Sequence, residues 1–283
     1  MSTRTIDAPE RIAFEGVRRL SVQVLEGSVD VIGTDGDATV VEVGVVGEKQ
    51  LDLRYENGSL AVRHDADWSR GPAFWLEHTR PRFHTEVSIT VPRHCEVEVS
   101  AVLAEVVVSG VEAPVRVRTA NKALTLAALT AGVDAETVDG AMRASDIGGE
   151  ARLHSVSGDI TLVKGPLIRL DAVSVSGTIT VDLDEPVTGE FILGSTTGDL
   201  TVRIPADSDL EADLETTLGD LVCGFPELQL HKTFGLKTVN GVLGSGRGSL
   251  RAHSVTGSVA LLRRDADGIA PADGSAPDPE EAL

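Results

Sequence analysis

The chain has 283 residues, 44 of them acidic against 25 basic, for a formal net charge of −19. A field of that sign repels polyanions, which excludes nucleic acid and anionic lipid as general partners and keeps a β-rich surface dispersed. Hydrophobic residues make up 41% but aromatics only 3%, so the core has to be built from Val, Leu, Ile and Ala.

Residues 1–16 read as a polar lead-in. They contain no apolar leader, and no stretch of the chain approaches the roughly 18 continuous apolar residues of a membrane span. Without a signal peptide or transmembrane segment, the protein is expected to be cytoplasmic. Residues 17–92 read as a β-rich capping region. Val22 and Val24, then Val29 and Val31 after Gly27, alternate as a strand pair does. Leu51-Asp-Leu53-Arg-Tyr55 turns through Asn57-Gly58 into Leu60-Ala-Val62, the strongest short hairpin signal in the chain. Residues 65–82 interrupt this pattern with a long loop that holds Trp68, Phe74 and Trp75. Aromatics in such a loop form either a partner-binding lip or a cover for the open end of a repeat stack.

Residues 93–264 carry a repeat. Gly140, Gly158, Gly177, Gly198, Gly219, Gly241 and Gly257 are each followed two positions later by Met142, Ile160, Ile179, Leu200, Leu221, Leu243 or Val259. Counting back in the same step places Lys122 and Ala104 in the glycine slot, with Leu124 and Val106 in the apolar one. A period of about 18 to 22 residues with one β-signature per repeat predicts a solenoid of stacked coils. The expected fold is therefore all-β: a parallel β-solenoid (β-helix) of about nine coils with an N-terminal β-rich cap. Within a coil, Val156-Ser-Gly158-Asp-Ile160-Thr-Leu162 alternates inward apolar and outward polar residues. The glycine supplies a sharp bend, or a place where a Cβ would clash. The repeat loosens over 223–237, where a bulging loop is expected, and residues 265–283 read as a disordered acidic tail.

Two features carry a resemblance to a known family. One is the repeated Ser/Thr-x-Ser/Thr/Asn-Gly-x-apolar step, running Ser155 to Ile160, Ser174 to Ile179, Ser195 to Leu200, Thr216 to Leu221, Thr238 to Leu243 and Ser254 to Val259. The other is the approach to such coils through Ile89-Thr-Val-Pro92 and Val202-Arg-Ile-Pro205. In these the chain resembles the bacterial candidate-adhesin family of β-strand-repeat domains of unknown function. The resemblance implies the repeat architecture and an interaction role, and assigns no activity.

Chemistry is sought in three places. Asp199 and Asp220, each following a repeat glycine, would lie on adjacent coils roughly 5 Å apart, the spacing of a retaining glycosidase pair. This supports an alternative reading as a carbohydrate-active enzyme, although an aspartate after glycine in a turn commonly binds nearby backbone. His78, His84 and His94 with Cys95 lack metal-site spacing. Gly244-Ser-Gly246-Arg-Gly248 lacks the helix a phosphate loop needs and reads as a turn. Cys95 and Cys223 read as buried free thiols, Cys223 in an inward slot. No catalytic, cofactor or metal site is expected. The leading reading is a non-catalytic scaffold or interaction protein of bacterial origin, with a protein partner or self-association through the coil ends and a polysaccharide as a further ligand. The last coil, Ser254 to Leu262, is expected to form one end of the stack, where Arg263 and Arg264 would either blunt the edge by charge or take part in docking.

Overall fold

The computed structural model describes residues 2–47, 50–64, 84–233 and 235–264. It is all-β and solenoid-like. The N-terminal third comprises β1 (Ser2–Ile6), β2 (Glu10–Glu15), β3 (Arg19–Thr34), β4 (Ala38–Val46), β5 (Leu51–Glu56), β6 (Ser59–His64), β7 (His84–Pro92) and β8 (Glu96–Ser109). Then come short alternating strands: β9 (Val115–Arg118), β10 (Leu124–Leu129), β11 (Val133–Thr137), β12 (Met142–Ile147), β13 (Gly149–Ser155), β14 (Ile160–Val163), β15 (Leu167–Ser174), β16 (Ile179–Asp182), β17 (Glu190–Ser195) and β18 (Leu200–Pro205). The last six are β19 (Leu210–Thr216), β20 (Leu221–Cys223), β21 (Gln229–Thr233), β22 (Leu236–Leu243), β23 (Gly248–Ser254) and β24 (Val259–Arg264).

Two long strand runs enclose one core. In the first, β9, β11, β13, β15 and β17 stack in parallel on the first half of β8. In the second, β10, β12, β14, β16 and β18 stack on its second half. Both β3 and β8 cross from one run to the other, pairing in parallel from Arg19↔Glu96 to Ile32↔Ser109. The predicted strand pair around Gly27 is thus one continuous strand that bends there. An added Cβ at Gly27 would lie 1.9 Å from the Thr85 carbonyl oxygen, and its φ of 124° is one that L side chains rarely adopt. The Asn57-Gly58 hairpin forms as expected, with φ of 51° and 79°, the signs a type I′ turn requires.

The expected capping region continues the same stack. β6 and β7 pair in parallel with β3, and β4, β5 and the lead-in strands β1 and β2 add antiparallel margins. At that end an ion pair between Arg4 and Glu10 joins β1 to β2. The Tyr55 hydroxyl donates to the Glu15 carbonyl at 2.8 Å. The stack is therefore mixed at both ends rather than parallel throughout.

The apolar column holds from Val106 through Leu124, Met142, Ile160 and Ile179 to Leu200. Beyond Leu200 the order departs from the sequence. Leu200 is followed by Val259, and Val259 by Leu221. The chain lays down β19 and β20 one coil too far out, turns back through β21 and β22, and fills the gap with β23 and β24. β23 accordingly pairs with both β17 and β19, and β24 with both β18 and β20. The last coil is interior, which corrects its expected place at an end. Leu243 and Gly241 leave the column, because β22 runs antiparallel to β19 with Leu210 opposite Leu243. A short return favours antiparallel pairing, whereas a parallel strand needs a full crossover.

The stacked glycines are required by close approach. A Cβ on Gly158, Gly177, Gly198, Gly257 or Gly219 would meet the carbonyl oxygen of the glycine in the preceding coil at 1.9 to 2.1 Å. Beside them runs a row of buried hydroxyls. Ser155, Ser174, Ser195 and Ser254 accept the N–H of the glycine three residues on at 2.8 to 2.9 Å. These bonds satisfy backbone donors that the turn removes from the ladder.

Candidate functional site

The outward faces of the two runs differ. On the first, charge alternates coil by coil through Glu98, Arg116, Asp134, Arg152 and Asp171. Ion pairs follow: Arg19–Glu96 at 2.7 Å, Arg116–Asp134 at 3.1 Å and Arg169–Glu190 at 3.5 Å. They are exposed, so each adds little stability and weakens with salt. They flank a groove of about 420 Å³ in which opposite charges neutralise one another. On the second face the corresponding row is Thr125, Arg143, Thr161, Thr180, Thr201 and Ala260, with one charge among them.

The structure separates Asp199 from Asp220. The coil of Ser258 lies between them: the Asp199 carboxylate accepts the Ser258 N–H at 2.7 Å, and the Asp220 N–H donates to the Ser258 hydroxyl at 3.3 Å. Two strand spacings put the pair about 10 Å apart, beyond the reach of a retaining pair. Asp159 is used in the same way, accepting the Thr178 N–H at 2.8 Å. A hydrogen bond from Lys237, and then its charge, hold the Asp220 carboxyl below the ordinary carboxylate range, the opposite of what a general acid needs.

Trp68, Phe74 and Trp75, together with His78, lie outside the described residues. Arg264 is anchored inside the stack, donating to Asp182 at 2.6 Å beside Arg203, which donates to the same carboxylate at 2.8 Å. Hydrogen bonds from Arg203 first, and then from Arg264, hold the Asp182 carboxyl low. Arg263 sits opposite Ile204 on β24, so neither arginine marks an end of the stack. His84 faces Glu86 at 3.6 Å, while His94 is exposed and Cys95 buried, so this histidine and cysteine do not share a face. Burial pushes the Cys95 thiol up to about 11, and the half-buried Cys223 thiol also rises. Neither is poised as a nucleophile.

The Gly244–Gly248 segment is a turn clamped by Asp209. That carboxylate accepts the Ser245 and Arg247 N–H groups at 2.8 and 3.1 Å and the Arg247 Nε–H at 2.6 Å. The Arg247 and Ser245 bonds hold it far below the usual carboxylate range. The turn's donors face a carboxylate of the chain itself.

One cleft escaped the sequence reading. At the far end, the turn of the terminal coil and the β21–β22 hairpin border an open cleft of about 660 Å³ whose polar lining is Thr217, Asp220, Lys232, Thr233, Lys237, Thr256 and Ser258. Lys237 Nζ donates to the Gly219 carbonyl and to Asp220, each at 2.7 Å. The legible signal was compositional: only five of the 25 basic residues are lysines, and two of them fall within six positions.

Comparison with solved structures finds a candidate adhesin from Bacteroides fragilis, 12% identical over 92% of this chain and 96% of that chain, with a TM-score of 0.46. A candidate lipid-binding protein from Parabacteroides distasonis is 13% identical, covering 90% and 97% at a TM-score of 0.35. A candidate cell-adhesion protein from Clostridium sporogenes is 10% identical, covering 90% and 100% at 0.28. No curated protein matches the chain. The Toastrack DUF4097 family model matches residues 17–262, nearly all of the two strand runs and the columns that order them, and the chain belongs to this family.

Proposed function

We propose that the protein is a non-catalytic interaction scaffold that pairs with a second copy of itself through the free edge of β21. The carrying observation is that edge. Among the described residues β21 is bonded only to β22, and all five of its residues are exposed. It contains no proline, and Leu230 stands open to solvent. An unpaired strand edge is a template for another strand. The opposite end differs, since Arg4 and Glu10 place charge across β1 and β2. The non-catalytic reading is supported by the turn aspartates, which are occupied in bonds between coils and do not converge.

Light scattering tests the pairing. The wild-type chain is expected to show a mass that rises with concentration from one chain toward two. Leu230→Lys, which puts a charge on the edge, should hold the mass at one chain. A constant single-chain mass for the wild type, across concentration and salt, would refute the pairing.

A further inference from the structure

We propose that the cleft between the terminal turn and the β21–β22 hairpin binds an acidic saccharide: a sugar ring carrying a carboxylate or a phosphate. The cations come first. Two of the chain's five lysines, Lys232 and Lys237, line this one cleft. Among the described residues Lys232 forms no ion pair, and it stands opposite Lys237 across the β21–β22 ladder. Lys237 is held in place by Gly219 and Asp220, which orients its ammonium toward the same space.

Next to the cations stand hydroxyls. Thr217 and Thr233 line the cleft, and neither hydroxyl has a hydrogen-bond partner among the described residues. Leu218, 70% exposed, and Leu236 add an apolar patch. A cation, free hydroxyls and a small apolar patch match the three parts of an acidic sugar: its anion, its hydroxyls and the C–H face of its ring. Size selection follows from the whole-chain field. At −19, the protein repels an extended polyanion, whereas a compact ligand senses charges within a screening length of about 8 Å, and among the described residues two lysines and one carboxylate, Asp220, line the cleft.

Lys232 and Thr233 lie on β21, so the cleft borders the strand proposed to pair, and the test runs on both wild-type protein and the Leu230→Lys variant, where binding without pairing separates the two readings. Amide shifts in a ¹⁵N-labelled chain are followed during titration with glucuronate, glucose 6-phosphate, glucose and inorganic phosphate. Saturable shifts at residues 217–220, 232, 233 and 235–237 with either acidic sugar support the proposal, and the tighter of the two shows whether the cleft favours carboxylate or phosphate. Lys232→Ala, an exposed change expected to keep the wild-type melting temperature, should weaken that binding about tenfold. Equal shifts with glucose would show that charge plays no part, and equal shifts with inorganic phosphate would show a bare oxyanion site. Either result, or no shift with the acidic sugars, overturns the proposal.

Discussion

Gly198→Ala is expected to unfold the stack or to destabilise it by at least about 3 kcal/mol. The new methyl would lie 2.0 Å from the Gly177 carbonyl oxygen and 2.8 Å from the Ser195 hydroxyl that accepts the Gly198 N–H. The first obstacle is backbone, so no rotamer change relieves it. Moving the coil outward would break its parallel bonds on both sides, since β18 lies between β16 and β24. Gly194→Ala, four residues earlier, is the matched control. A methyl there meets only the Val173 side chain, at 3.8 Å, and the change should stay within about 1 kcal/mol of wild type. Urea unfolding of the two variants separates close approach from a general intolerance of alanine. Similar midpoints for both would show that the glycine column is not packed as described.

Stability should also fall on acidification between pH 6.5 and 4, because of His64. Its ring is fully buried where β6, β3 and β7 meet. Nδ1 accepts the Leu25 N–H at 3.2 Å, and Nε2 lies 3.0 Å from the Thr85 hydroxyl. With Nδ1 an acceptor, Nε2 carries the proton of the neutral ring and donates it to Thr85. Protonating Nδ1 would turn it against the Leu25 N–H. Burial lowers the folded value from 6.5 to about 4. The group is thus depressed on folding, so its stabilisation is complete above 6.5 and is lost as pH falls toward 4. The loss amounts to about 2 kcal/mol by pH 5 and on the order of 3 kcal/mol at pH 4. The aspartates held low, Asp182, Asp209 and Asp220, release their stabilisation only as pH falls below their ordinary range, which leaves the upper window to histidine. His64→Leu should be less stable at pH 7.5, because two buried polar partners are orphaned. Its loss of stability from pH 7 to pH 5 should be smaller than wild type's by about 2 kcal/mol. Equal pH dependence of the two proteins would contradict this role for His64.

Much of the architecture was legible because the signal is local. An apolar residue two positions after a glycine, repeated in step, fixes which side chains face the core, and Val106 through Leu200 obey it. The threading was not legible, for a physical reason. Thr216 to Leu221 and Ser254 to Val259 carry the same step, so either could stack on the coil of Leu200, and a pattern that sets facing does not set neighbours. Thr238 to Leu243 carries the step too, yet lies in an antiparallel strand, because alternation reads the same in both directions. The Asp199–Asp220 pair failed for that reason: the spacing was right for consecutive coils, and these two are not consecutive. The lysine cleft needs the β21–β22 return to bring Lys232, Thr233, Leu236 and Lys237 against the turn at 217–220, which no local pattern encodes.

The threading of the last coil between two earlier ones is best tested with paired cysteines in a Cys223→Ser background. Thr201 and Ala260 are register partners on neighbouring strands, as are Ala260 and Val222. Strands about 4.8 Å apart lie within disulfide reach, whereas a two-strand gap of about 10 Å does not. Mild oxidation should therefore close the Thr201→Cys/Ala260→Cys pair and the Ala260→Cys/Val222→Cys pair and leave Thr201→Cys/Val222→Cys reduced. Ready closure of the Thr201→Cys/Val222→Cys pair, with Ala260→Cys unreactive toward both positions, would show that the coils stack in chain order and would contradict the fold described.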